Sequence, residues 1–157
     1  MSNNADLAAA LDAMTASRRA LVAAIEPLTR EDMETSRPGS WSVGGVLHHV
    51  AEYEVIYLKI LARLRGQVAT DVPVAVPEDG SDAVAQLART RAALLEMADG
   101  IDDATLHRLS RVGEYEFSCL SVIEKNSVHD EEHVAQIAEL FGPSADVGAA
   151  SPPSGLG

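Results

Sequence analysis

Cysteine is almost missing from this chain: Cys119 stands alone, so no internal disulfide can form and nothing asks for an oxidising compartment. Aromatic residues make up only 4 % of the sequence, while 46 % is hydrophobic, so the apolar content is Ala, Leu, Val and Ile. That mixture suits helices packed on helices and disfavours all-β classes. Basic residues are scarce as well, 12 Lys and Arg against 24 Asp and Glu, for a formal net charge of −12. Such a surface repels phosphate backbones and anionic lipid, so no nucleic-acid partner and no membrane partner is expected. No apolar run reaches the ~18 residues of a membrane span, and the first residues lack the basic segment and apolar stretch of a secretory signal. A cytoplasmic protein is therefore expected. Its segments are too dissimilar for a repeat array, and 157 residues suffice for one domain with a sizeable core.

Periodicity organises what is present. Leu7, Leu11, Met14, Leu21, Ile25 and Leu28 form a heptad seam, with Arg18 filling the slot that the seven-residue gap skips. This predicts a first helix from about Asn4 to Leu28. Thr29 to Trp41 contains Pro38 and Gly39, lacks periodicity and reads as a connection. Ser42 can cap a second helix with a stripe of Val43, Val46, Leu47, Val50, Tyr53, Tyr57, Leu61 and Leu64, ended by Gly66. Residues 67–80, with Pro73, Pro77 and Gly80, read as a long crossover loop. Ser81 is the expected cap of a third helix whose stripe is Val84, Leu87, Leu94, Leu95 and Ala98, ending at Gly100. A short helical piece over Asp102–Leu109 and an extended stretch over Arg111–Phe117 lead to a last helix, from Ser118 to Phe141, stopped by Gly142 and Pro143. The expectation is an all-α four-helix bundle over residues 1–143, followed by a disordered tail of small residues, Gly and Pro over 144–157.

Two of the five histidines, His129 and His133, lie one helical turn apart, so both imidazoles can reach one metal ion. The protease pattern HExxH is not formed, because Asp130 occupies the position of its Glu. A third ligand must come from another helix, and the second helix offers His48 and His49. At 100° per residue, His49 lies about 100° from Val50, at the centre of the apolar stripe, next to Tyr53 and Ile56, whereas His48 lies about 160° away beside Glu52. Geometry selects His49 as the inward ring. In the last helix His129, His133, Asn126 and Gln136 share one sector bordering Val122 and Ile137. Buried rings need partners; the alternative is that they sit at the rim of the bundle and meet water or carboxylates. His107, in a connecting segment, reads as solvated.

The segments PGSWSVGGVLHHVAEYE and HDEEHVAQI resemble the DinB-like superfamily of bacterial four-helix proteins in their Trp-Ser, His-apolar-Ala and His-x3-His motifs and in the Gln-Ile that follows. The order and separation of these motifs carry the resemblance, which spans the bundle. That superfamily includes thiol-dependent S-transferases and mycothiol-dependent maleylpyruvate isomerases. The resemblance implies a divalent metal, zinc or nickel, held by His49, His129 and His133, the three residues chosen by the angular argument. Gly44-Gly45 departs from the charged helix formers common at those positions, which is expected to loosen the first turn of the second helix.

Glu54 lies about 40° from Val50, inside the apolar stripe, where its carboxylate needs a partner. Arg18 and Arg91 fill seam positions on their own helices; either they pair with Glu54 or they extend past the rim. Trp41 is expected to cover the start of the second helix or to line a pocket mouth, and Tyr53 and Tyr57 read as core. Glu52 and Glu132 read as surface, or as acceptors for the second N–H of a ligating histidine. Three neutral imidazoles leave coordination positions open, facing a ligand cavity walled by Trp41, Tyr53, Asn126 and Gln136. The leading functional reading is a metal-dependent S-transferase that uses a low-molecular-weight thiol on a small-molecule substrate. Its alternatives are a metal-dependent hydrolase, a non-catalytic metal-binding stress-response protein, and a plain homodimer-forming bundle.

Overall fold

A computed structural model describes residues 4–143, and the expected tail, 144–157, lies outside the described residues. Helix α1 spans Ala5–Ile25, with the Asn4 side chain accepting from the Leu7 N–H. It stops three residues before the expected end because Pro27 has no N–H to continue the ladder, and Leu28 instead closes a tight turn onto the Ile25 carbonyl at 3.0 Å. The connection that follows is not wholly irregular: α2 occupies Arg30–Met33, started by a reciprocal cap between Thr29 and Asp32. Helix α3, Val43–Leu64, begins at Ser42 as expected. Helix α4, Gly80–Ala98, is capped by Asp79 rather than Ser81, since the Asp79 carboxylate accepts from the Asp82 N–H at 2.8 Å. Its buried face also differs from the expected stripe. Leu95 is exposed, and Ala83, Gln86, Thr90 and Arg91 turn inward with Leu87, Leu94 and Ala98. Helix α5, Asp103–His107, precedes an antiparallel hairpin of β1, Ser110–Val112, and β2, Tyr115–Phe117, and α6 runs over Cys119–Phe141.

The four long helices form a ring in the order α1, α6, α3, α4. One apolar cluster joins Ala10 and Met14, in the first half of α1, to Leu61 near the end of α3, Leu94 and Ala98 near the end of α4, and Val122 near the start of α6. The other joins Leu21 and Ile25 to Val43, Val46, Ala83, Leu87, Ile137 and Leu140. Helices α1 and α6 therefore point one way and α3 and α4 the other. Because α3 and α4 are parallel, residues 65–79 must return along the bundle. Ala69 and Val72 pack on the first cluster and Val74 on the second, and the Gln86 amide holds both backbone groups of Ala75, at 2.8 and 2.9 Å.

Two glycines make close approaches possible. A Cβ on Gly80 would lie 2.1 Å from the Ile25 carbonyl oxygen, so the start of α4 seats directly on the end of α1, where the Gly80 N–H bonds the Leu28 carbonyl at 2.9 Å. Gly44 is buried against Met33 of α2 and Val76 of the crossover, where a Cβ would meet atoms at 3.1–3.2 Å. The first turn of α3 is thus a packing surface rather than a loosened end.

Candidate metal centre

Halfway along the bundle, α3 and α6 bring His49, His129 and His133 together. All three are buried, and one nitrogen from each lies within 4.8 Å of the others. The Nε2 atoms of His49 and His133 each stand 3.0 Å from Nε2 of His129. Gln136 Oε1 accepts from His133 Nδ1 at 2.6 Å, which places the ring proton there and leaves His133 Nε2 as a bare lone pair. A single nitrogen on His129 cannot complete good hydrogen bonds to both neighbours, because whichever tautomer it takes serves at most one. Three nitrogens crowded around one point, one of them fixed as a lone pair by Gln136, fit a shared cation.

The electrostatics keep the rings in ligand form. Burial, followed by the nearby His133 and His48 rings, pulls His49 down to about 4. Burial, followed by His133 and His49, pulls His129 down to about 3. Burial also lowers His133, against the opposing hydrogen bond to Gln136. The site is therefore neutral near pH 7, and protons do not compete for the lone pairs until acid conditions.

A cleft of about 480 Å³ opens beside the triad, lined by Trp41, Ser42, Gly45, His48, His49, Glu52 and Tyr53. His49 sits between two aromatic neighbours, with its ring centroid 4.8 Å from Trp41 and 4.4 Å from Tyr53. His48 is half-buried at the cleft, 4.0 Å from Glu52, and is not among the three rings whose nitrogens converge. Asn126 is buried and bonds back to the Val122 carbonyl at 2.9 Å, and Gln136 is committed to His133. Neither is among the cleft-lining residues. Tyr57 is buried and meets the His129 ring edge-on at 6.1 Å. His107 is more than a solvated side chain: its Nε2–H donates to the Asp6 carboxylate at 2.9 Å and its Nδ1–H donates to the Asp103 carbonyl at 3.0 Å.

The sequence pattern that defines the DinB superfamily matches residues 13–137, most of the chain and all three histidines. The chain belongs to the DinB superfamily. Its fold is also similar to the crystal structure of TT2238, described as a four-helix bundle protein, with 24 % identity, a TM-score of 0.63, and coverage of 82 % of this chain and 94 % of that one. No curated protein sequence matches it.

Next to the triad, this DinB-superfamily bundle carries a charged layer that draws on all four long helices. Arg18 of α1 reaches Glu54 of α3 at 2.9 Å and Asp130 of α6 at 2.7 Å, and Arg91 of α4 reaches the same two carboxylates at 3.0 and 3.3 Å. Thr90 donates to Glu54 at 2.6 Å, while Arg18 and Arg91 place remaining N–H groups on the carbonyls of Leu87 and Met14. Two cations thus meet two anions, and the two apolar clusters lie on either side of them. Burial alone would raise the Glu54 carboxyl, but Arg18, Arg91 and the Thr90 hydroxyl hold it below its ordinary value. Burial likewise opposes the Arg18 charge, and Glu54 and Asp130 more than offset it, leaving its pKa raised. Of the two alternatives for the arginines, pairing with Glu54 is the one present, and both take part; neither extends past the rim. Sequence reasoning missed Asp130 and Thr90. The signal for Asp130 was its position seven residues from both Ile123 and Ile137, on the buried seam of α6.

Proposed function

We propose that the protein is a divalent-metal-dependent enzyme of the S-transferase kind, joining a low-molecular-weight thiol to an electrophilic small molecule at the three-histidine site. The observation that carries the reading is the donor set: three neutral imidazoles, with no carboxylate among them, opening beside a cleft that can admit a small ligand. An ion of the zinc or nickel type held there would keep its full positive charge and so favour the deprotonated form of a thiol near neutral pH. The chain's own residues do the remaining work. His49, His129 and His133 present lone pairs without adding negative charge, and Gln136 holds the His133 proton on the outer nitrogen. Trp41 and Tyr53 flank His49 and form the aromatic walls against which a substrate would rest.

Metal analysis of purified variants tests the centre. The wild-type chain should bind about one divalent ion, and alanine at His49, His129 or His133 should abolish that stoichiometry, whereas His48→Ala should retain it. Loss of metal in His48→Ala with retention in His49→Ala would overturn the ligand assignment. Titration of thiols into cobalt-substituted protein should give a sulfur-to-cobalt charge-transfer band. A response to azide and none to thiols would replace the transferase with a hydrolase, and indifference to both would mark a structural ion.

A further inference from the structure

The walls of the cleft say which small molecules it accepts. Of the seven lining residues, Glu52 is the one carboxylate, and no lysine or arginine is among them. The Glu52 side chain is half-exposed, and its nearest basic group is the His48 ring at 4.0 Å. Trp41 and Tyr53 add two aromatic rings, whose faces are the negative part of their quadrupoles and attract cations. The chain as a whole carries −12. These wall contributions have the same sign; a cation held by the histidines would oppose them at the metal end, where it would meet the sulfur of a thiol rather than the rest of the ligand. The positive end of α3 also opposes the walls, but two of its first-turn donors are already engaged: the Val43 N–H bonds the Thr35 carbonyl at 2.9 Å and the Gly45 N–H bonds Ser42 Oγ at 3.0 Å. The walls thus offer an anionic ligand no lysine or arginine, only N–H and O–H groups such as those of Trp41, Ser42 and His48, whereas a cationic ligand meets the Glu52 carboxylate.

We propose that the cleft selects its ligand through an ammonium group, seated between the Glu52 carboxylate and the rings of Trp41 and Tyr53, so that the small thiol used here is an aminothiol. Glu52 acts as a specificity residue and stands outside the metal-ligand set. On α3 it follows His49 by three positions, so both side chains reach the same side of the helix. A ligand lying along that face presents its amine to Glu52 and its other end toward the histidines. The thiol part of this inference rests on the proposed function, whereas the ammonium part rests on the cleft alone.

Trp41 is the single tryptophan of the chain and lines the cleft, so its emission reports binding directly. Zinc-loaded protein should be titrated with three thiols of similar size, cysteamine, 2-mercaptoethanol and 3-mercaptopropionate, and with the oxygen analogues ethanolamine and ethylene glycol, with calorimetry as a second readout. Cysteamine should bind about fivefold or more tightly than 2-mercaptoethanol, and 3-mercaptopropionate most weakly, which is the range expected of one partly exposed ion pair with aromatic support. Added salt should shrink this order, and Glu52→Gln should erase it while leaving metal content unchanged. An equal or reversed order, an order that survives in Glu52→Gln, or no binding of either amine at millimolar concentration would overturn the proposal. If ethanolamine is preferred over ethylene glycol but thiols gain nothing over their oxygen analogues, the ammonium site stands and the thiol reading falls. If all three thiols bind equally well, the reverse holds.

Discussion

Glu54 is 1 % exposed and answers two arginines and a threonine, so its removal strands two buried guanidinium groups beside a single remaining carboxylate, Asp130. Glu54→Ala should cost about 3–5 kcal/mol, read as a fall in the urea midpoint, whereas Glu52→Ala, at the exposed rim of the cleft, should cost a few tenths. The same carboxylate sets an acid limit. Its native pKa lies below the ordinary 4.5, so the unfolded chain takes up a proton first as the pH falls. Its contribution to stability is complete above about pH 4.5 and is lost as the pH drops through the lower native value. Denaturation midpoints measured across pH 2–6 should show this loss, and Glu54→Gln should lack it. At this scale the inward choice of His49 over His48 was legible, because a fixed rotation per residue separates neighbouring side chains by 100°. Asp130 was not, because a charged residue on a buried seam contradicts the apolar pattern by which the seam is recognised, and its partners lie 112 and 39 residues away in sequence.

Among the elements, the four long helices were readable from their seams, while their starts depended on short-range competition. Asp79 and Ser81 both offer a capping oxygen near the start of α4, and the close seat of Gly80 on the Ile25 carbonyl decides in favour of the earlier residue. Helix α2 escaped notice because four residues carry too little periodicity to register, although its Thr29 and Asp32 cap was visible. Gly80→Ala should push the start of α4 off the end of α1 and cost about 1–3 kcal/mol in thermal or chemical denaturation, since the obstruction is backbone. A second prediction concerns the start of α1. His107 bonds the Asp103 carbonyl and Asp6, and those contacts raise its pKa above the ordinary 6.5. That tie is in place below pH 6.5 and is lost as the pH rises through the higher native value. Hydrogen-exchange protection in the first turn of α1, corrected for intrinsic rates, should fall over that range, and His107→Ala should show the weaker protection throughout.

For the whole molecule, the ring order and helix directions were the least legible features. Periodicity names a buried face without naming its neighbour, and the direction of α4 depends on whether residues 65–79 turn back at once or run the length of the bundle. Among the described residues no helix is long and apolar enough to cross a membrane. A metal bridging α3 and α6 would tie together two elements distant in sequence, so a chelator should lower the melting temperature of the purified protein. The stabilisation lost is about 4 kcal/mol if free metal stood at a thousand times its dissociation constant. His129→Ala should melt at a temperature the chelator does not change.

The charged layer also has a consequence for how sequences of this shape can change in length. Arg18, Glu54, Arg91 and Asp130 come from four separate helices and must meet at one level, so together they act as a common zero mark for the register of every long helix. An added residue inside α3 between His49 and Glu54 would rotate one of them by about 100° against the other and sacrifice either the triad or the layer. The same residue added within 67–72 changes loop closure by a small fraction of a kcal/mol. Insertions and deletions should therefore collect in the connections, leaving the four spans around this mark at constant length, and a library of single-codon insertions sorted for folded protein would map that boundary residue by residue.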